Sequence, residues 1–165
     1  MTAPLNDKVG LMRIPTSLWR DPVWLSALAA GPIFWLLFAL LSLHVPTFDH
    51  FEFSRELAVV FLLTVIIYPV LEELVFRGLI QPELQRKSFF QRKILVFSFA
   101  NIAASSLFSL FHLFNHELFW AMLVFFPSLV FGFFRDRYNS IAPSIFLHVF
   151  YNFGFSLLFS GMLAK

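Results

Sequence analysis

Long apolar runs constrain this chain more than any other feature, and the second of them is interrupted by charge. From Leu57 to Ile80 nearly every residue is apolar, yet the stretch "EELVFR" at 72–77 carries two glutamates and an arginine. A helix needs about 20 mostly apolar residues to cross the hydrocarbon of a bilayer. Five segments reach or approach that length: Val23–Val45, Leu57–Ile80, Ile94–Phe114, Leu118–Phe134 and Ile141–Leu163. Polar or turn-forming text such as "QPELQRKSFFQRK", "FNHE" and "RDRYNS" separates them. Hydrophobic residues make up 59% of the chain and charged ones 13%, too little polar surface to coat a soluble domain. The expected fold class is therefore all-α, a polytopic transmembrane bundle of about five spans. There is no cysteine, which excludes disulfides and thiolate chemistry. No internal repeat or flexible linker is visible.

Lysine and arginine set the expected orientation. Lys8, Arg13 and Arg20 precede the first span, Arg86, Lys87, Arg92 and Lys93 follow the second, and Arg135 and Arg137 follow the fourth. Only Arg55 and Lys165 fall on the other side. The positive-inside rule then puts the N-terminus in the cytoplasm. The first apolar run is too long for a signal-peptide core and reads as a retained helix. The basic stretch 81–93, which includes Phe89 and Phe90, is either a segment lying along the membrane surface or an ordinary basic loop.

Charge within a span is costly and usually marks function. Successive helical residues are about 100° apart, so Glu73 and Arg77 share a face and can pair. Glu72 faces elsewhere, which gives the arginine to Glu73. Pro69 cannot donate to the carbonyl of Val65, and a bend there would open a polar space beside Glu72. The bland alternative makes all three charges an interfacial ion cluster.

Two further spans carry polar stripes. Asn101, Ser105, Phe108 and His112 are spaced four, three and four, and Ser144, His148 and Asn152 four and four. Each set forms one helix face that should meet protein or water rather than acyl chains. A lone histidine or amide of this kind is often only an interhelical hydrogen-bonding group. His116 continues the first face but adjoins Glu117 in a tight turn, which suits an exposed residue.

Taken together, Glu72-Glu73-x-x-x-Arg77, Phe108-x-x-x-His112 and His148-x-x-x-Asn152 resemble the motifs of the CAAX-processing and bacteriocin-processing membrane proteases, the CPBP or Abi family. The resemblance runs from about Leu57 to Asn152, with the motifs on spans two, three and five. It implies a core over residues 57–165, preceded by a segment 1–56 holding the first helix and a loop. It also implies a glutamate-type intramembrane endopeptidase with no cofactor and no metal. Glu72 and His112 would activate water, His148 and Asn152 would stabilise the oxyanion, and Glu73 with Arg77 would support them. The implied substrate is a lipidated or membrane-anchored protein or peptide: a prenylated C-terminus, a bacteriocin-related peptide or a C-terminal sorting tail. The compact form resembles bacterial members, hence an inner (plasma) membrane protein with the bilayer, and no nucleic acid, as its surroundings.

Two alternatives stay open on the residues themselves. Glu72, His112 and His148 could ligate zinc, although "HELFW" at 116–120 lacks the second histidine of an HExxH site. Acid and imidazole within spans also suit a non-enzymatic proton-relay or docking module. The span boundaries raise a difficulty of depth. They put Glu72 and His148 about 8 residues, roughly 12 Å, from the cytoplasmic ends of their helices, and His112 about 18 residues, roughly 27 Å, from its own. These meet only if the third helix starts below the surface, near Phe89, or tilts, or if the site is a deep cone.

Overall fold

The computed structural model describes residues 12–42 and 55–163. Lys8, the expected end of the first span at Val45, the loop after it and Lys165 lie outside the described residues. Six helices occur among the described residues. They are α1 (Pro22–Ser42), α2 (Arg55–Gln85), the short α3 (Ser88–Gln91), α4 (Phe99–His112), α5 (Leu118–Tyr138) and α6 (Ala142–Leu163). A two-stranded antiparallel hairpin, β1 (Lys93–Ile94) and β2 (Phe97–Ser98), joins α3 to α4. Local chemistry sets the ends. Asp21 Oδ1 accepts the N–H of Val23, and Pro22 opens α1, where a missing N–H costs nothing. Asn139, left-handed at φ 49°, ends α5.

Helices α1, α2, α5 and α6 are long and apolar enough to cross a membrane, whereas α4 has 14 residues, roughly 21 Å. The third apolar run thus differs from the sequence expectation. Its helix starts at Phe99, not Ile94, because the Ser98 side chain caps it by accepting the Asn101 N–H at 3.0 Å. Ile94, Leu95 and Val96 build the hairpin instead, with Leu95 left-handed at φ 55° and 89% exposed. The second run is longer than expected, since α2 continues to Gln85. The basic stretch 81–93 is structured rather than a plain loop. Its first residues finish α2, and the rest form α3 and enter the hairpin.

The chain divides into two compact units. One comprises residues 16–70 and 147–165, so that α1, the first half of α2 and most of α6 belong to it. Its interior is aromatic. Phe38 meets Phe155 and Phe159 at centroid distances of 5.4 and 4.9 Å, and Trp35 meets Phe150 at 5.3 Å. Gly154 lets the Trp35 ring lie directly on the α6 backbone, where any Cβ would collide with it. Tyr151 donates to the carbonyl of Ala27 at 2.6 Å.

The other unit comprises residues 1–15 and 71–146: the second half of α2, α3, the hairpin, α4, α5 and the start of α6. Hydrogen bonds reveal the helix directions. Arg77 bonds Ser128 and Gln81 bonds Gly132, so α2 and α5 run parallel. Ser98 bonds Asp136, Asn101 bonds Leu129 and Ser109 bonds Ala121, so α4 runs antiparallel to both. Gly132 is obligatory here, because a Cβ would overlap the Asn101 and Gln81 side-chain amides.

Candidate active site

The charged motif lies on a regular α-helical stretch, Tyr68–Val75, bracketed by two π turns, Leu63–Ile67 and Phe76–Ile80. Each π turn takes up one extra residue and so re-aims what lies beyond it by about 100°. The pairing read from spacing is present. Arg77 Nε lies 3.5 Å from Glu73 Oε2, and both residues are fully buried. Glu72 is half-buried and close enough for its charge to act on Arg77. Arg77 also donates through Nη2 to the carbonyl and the hydroxyl of Ser128, at 2.6 Å each.

Below the ion pair the polar contacts continue as a ladder. Arg77, Gln81 and Gln85 are four apart on α2, and Ser128, Gly132 and Asp136 are four apart on α5. Gln81 Nε2 donates to Gly132 O at 3.0 Å and to Asp136 Oδ1 at 2.6 Å. Gln85 Nε2 and Ser98 Oγ complete the Asp136 carboxylate, at 2.5 and 2.6 Å. Sequence reading took Arg135 and Asp136 for boundary charges and missed this network. The matching four-residue ladders on the two helices were the available signal.

The α4 stripe faces protein as its periodicity predicted. Asn101, Ser105 and Phe108 are buried, and His112 is half-buried. Asn101 donates to Leu129 O at 2.9 Å and accepts from Ser105 at 3.1 Å, so these two fasten helices. His112 is different. Its Nδ1 lies 2.9 Å from the carbonyl of Phe108, an acceptor only, so Nδ1 carries the proton and the lone pair of the neutral ring sits on Nε2. The Phe108 ring meets both the Arg77 guanidinium, 5.6 Å away, and the His112 ring, 4.4 Å away. The Phe-x-x-x-His spacing thus sets both the tautomer and the packing of the imidazole. His116 is exposed, with its ring nearly parallel to that of His112 at 5.6 Å.

For Glu72 and His112 the difference in depth disappears with the corrected helix ends; His148, six residues into α6, belongs to the other unit. Glu72 is thirteen residues before Gln85, and His112 thirteen after Phe99, on antiparallel helices joined at that end. Both stand about 20 Å along their helices. The Phe76–Phe108 contact, at 5.1 Å, fixes the same register from side chains.

On α6 the polar stripe divides between the two units. Ser144 donates to Phe131 O at 2.7 Å, fully buried, and belongs to the polar unit. His148 and Asn152 belong to the aromatic unit. His148 is buried, and Asn152 gives one amide hydrogen to the carbonyl of Thr64 at 3.1 Å. Among the described residues no group of three or more His, Asp or Glu side chains is gathered as a metal ion would require.

Four apolar helices of spanning length, one of them carrying a buried acid and base, define an integral membrane protein. The sequence model of one family, described as type II CAAX prenyl endopeptidase Rce1-like, matches residues 54–154. The chain belongs to that family of membrane proteases, as the CPBP resemblance had implied. No curated protein and no solved structure matches it.

Proposed function

We propose that the protein is a glutamate-type intramembrane endopeptidase that hydrolyses a peptide bond near the membrane-proximal C-terminus of a lipidated or membrane-anchored substrate. The observation that carries this reading is the level standing of Glu72 and His112, with His112 Nε2 as the basic nitrogen. In this reading a water held against His112 Nε2 loses a proton to the Glu72 carboxylate, and its oxygen adds to the scissile carbonyl carbon. The family resemblance gives His148 and Asn152 the part of donors to the resulting oxyanion. Collapse of the tetrahedral species breaks the C–N bond, and the proton held by Glu72 passes to the leaving amine. Glu73 is the carboxylate in direct contact with Arg77, and both would support the site in this reading. The basic segments 86–93 and 135–137 support a cytoplasmic N-terminus in a bacterial inner membrane.

The test uses purified protein in liposomes and a fluorogenic peptide with a farnesylated cysteine three residues from its end. Glu72→Gln should lower kcat by about 10³-fold or more, consistent with loss of a general base in a dry site. Activity should persist in EDTA and in 1,10-phenanthroline. Full activity of Glu72→Gln would end this reading, and complete inhibition by chelators would replace it with the zinc alternative.

A further inference from the structure

The two π turns of α2 share one construction. Each spans five residues and is followed by a single residue and then proline: Leu63–Ile67 before Tyr68 and Pro69, Phe76–Ile80 before Gln81 and Pro82. In an α-helix the N–H of Tyr68 would bond the carbonyl of Thr64, and that of Gln81 the carbonyl of Arg77. In the π register these N–H groups go to Leu63 O and Phe76 O instead. The next residue in line for each bypassed carbonyl is proline, which has no N–H to give. Thr64 O and Arg77 O are therefore stripped of backbone donors inside a span, where water does not replace them. Each is met by a side chain from another helix. Asn152 Nδ2 lies 3.1 Å from Thr64 O, and Arg135 Nε lies 3.1 Å from Arg77 O.

We infer that Arg135 is a positioning residue for Glu72, acting by locking the π turn at Phe76–Ile80. The stretch that carries Glu72 ends at that turn. If the turn slid along the helix or reverted to α, the residues on one side of it would rotate by about 100° relative to the other. The Arg77 carbonyl lacks a backbone donor only when the turn is seated where it is, so a donor fixed at that carbonyl selects this register. Arg135 is suited to the task. It is 6% exposed, and its Nη1 is anchored on Asn139 Oδ1 at 2.9 Å, beside the left-handed end of α5. Asn152 holds the first π turn in the same way with one of its two amide hydrogens. For its effect on rate the inference rests on the proposed role of Glu72; for its effect on stability it rests on the hydrogen bonds alone.

The decisive experiment is a rescue. Pro82→Ala supplies a backbone N–H five residues beyond Arg77, within π-turn reach of the carbonyl that Arg135 serves. Arg135→Met, Pro82→Ala and the pair are made in the full chain and assayed in liposomes on the farnesylated peptide, with thermal unfolding in detergent alongside. Arg135→Met should lower kcat by about 30-fold with KM within about twofold, as expected for a misaimed base. The double variant should regain about tenfold of that loss and most of the lost Tm. Asn139→Gly, which removes the other contact of Arg135 and tolerates the left-handed backbone there, should stay within about threefold of the parent. A double variant no better than Arg135→Met in both rate and Tm overturns the inference, as does full activity of Arg135→Met. If Arg135→Met fails to fold, recovery of folded yield in the double variant supports the inference and its absence overturns it. If Glu72→Gln proves fully active the proposed chemistry falls, while the Tm comparison still decides the lock.

Discussion

The two units solve the same problem, helix association without a hydrophobic driving force, with different materials. In the unit of residues 71–146 the buried side chains include Glu73, Arg77, Gln81, Asn101, Ser105, Ser128, Arg135 and Ser144, tied by directional hydrogen bonds. In the unit of residues 16–70 and 147–165 the helices meet through Trp35, Phe38, Phe155 and Phe159, with a glycine where backbone and ring touch. Dispersion packing tolerates small shifts and rotations, whereas a hydrogen bond weakens steeply once its angle opens. Directional contacts therefore fix helix rotation more tightly in the unit that carries Glu72 and His112 than aromatic contacts do in the other. The difference teaches that polar burial can serve aim as well as cohesion.

The largest expected effect breaks that contrast at its centre. Arg77→Met leaves Glu73 buried without its cation and should cost about 3–5 kcal/mol of unfolding free energy, measured by denaturant titration in mixed micelles. Arg77→Met with Glu73→Leu replaces the pair by apolar volume and should recover most of that cost. Recovery of stability without recovery of activity would show that the ion pair is kept for aim. Should the double variant stay as unstable as the single, the polar core is needed for the fold itself.

The same contrast explains what the sequence could disclose. Contacts within one helix were legible: Glu73 with Arg77 at four residues, and the α4 stripe, because helical spacing alone puts those groups together. Contacts across helices were not. The partners of Arg77 and Gln81 lie 51 residues away, and Arg135 looked like a loop charge because it adjoins the polar text "RDRYNS". The π turns were hidden, since an inserted residue in a run that is apolar on most faces leaves little break in hydrophobic periodicity. The start of α4 was misjudged for a related reason. Ile94, Leu95 and Val96 are as apolar as the helix they precede, and only the Ser98 cap marks the boundary. Their exposure fits a membrane chain, where apolar residues need not be inside the protein.

Two glycines sharpen the comparison at intermediate size. A Cβ at Gly132 would strike the amides of Asn101 and Gln81, and one at Gly154 the outer ring of Trp35. Gly132→Ala and Gly154→Ala should each cost about 1–3 kcal/mol, the usual range for overpacking. Their rescues should differ. Trp35→Phe removes the ring that the added methyl meets on α6 and should restore Gly154→Ala to within about 1 kcal/mol of its own background. Asn101→Ala makes room for the added methyl on α5 but deletes the donor to Leu129 O and the acceptor for Ser105, so it should rescue Gly132→Ala poorly. Equal rescue in both units would mean that the polar side chains of the first are as interchangeable as the rings of the second.

The smallest effect probes whether the polar contacts strengthen one another. Ser144→Ala and Tyr151→Phe each delete one hydroxyl that donates to a backbone carbonyl on a neighbouring helix, at 2.7 and 2.6 Å. Ser144 lies in the hydrogen-bonded unit and Tyr151 in the aromatic one. In both cases the carbonyl left behind belongs to a helix interior and keeps its own backbone bond, so little desolvation cost remains. Interhelical hydrogen bonds in membrane proteins average about 0.6 kcal/mol, and both variants should lose about that much, read from paired unfolding curves in the same detergent. The sharper quantity is the difference between them. Independent contacts predict losses equal within about 0.5 kcal/mol, whereas mutual polarisation with the Arg77–Ser128 and Gln81–Asp136 contacts predicts a loss for Ser144→Ala well above that for Tyr151→Phe. Ser144 bonds Phe131 on α5 beside those contacts without belonging to them, so an excess loss there would place the cooperativity in the helix backbone as well as in the side-chain ladder.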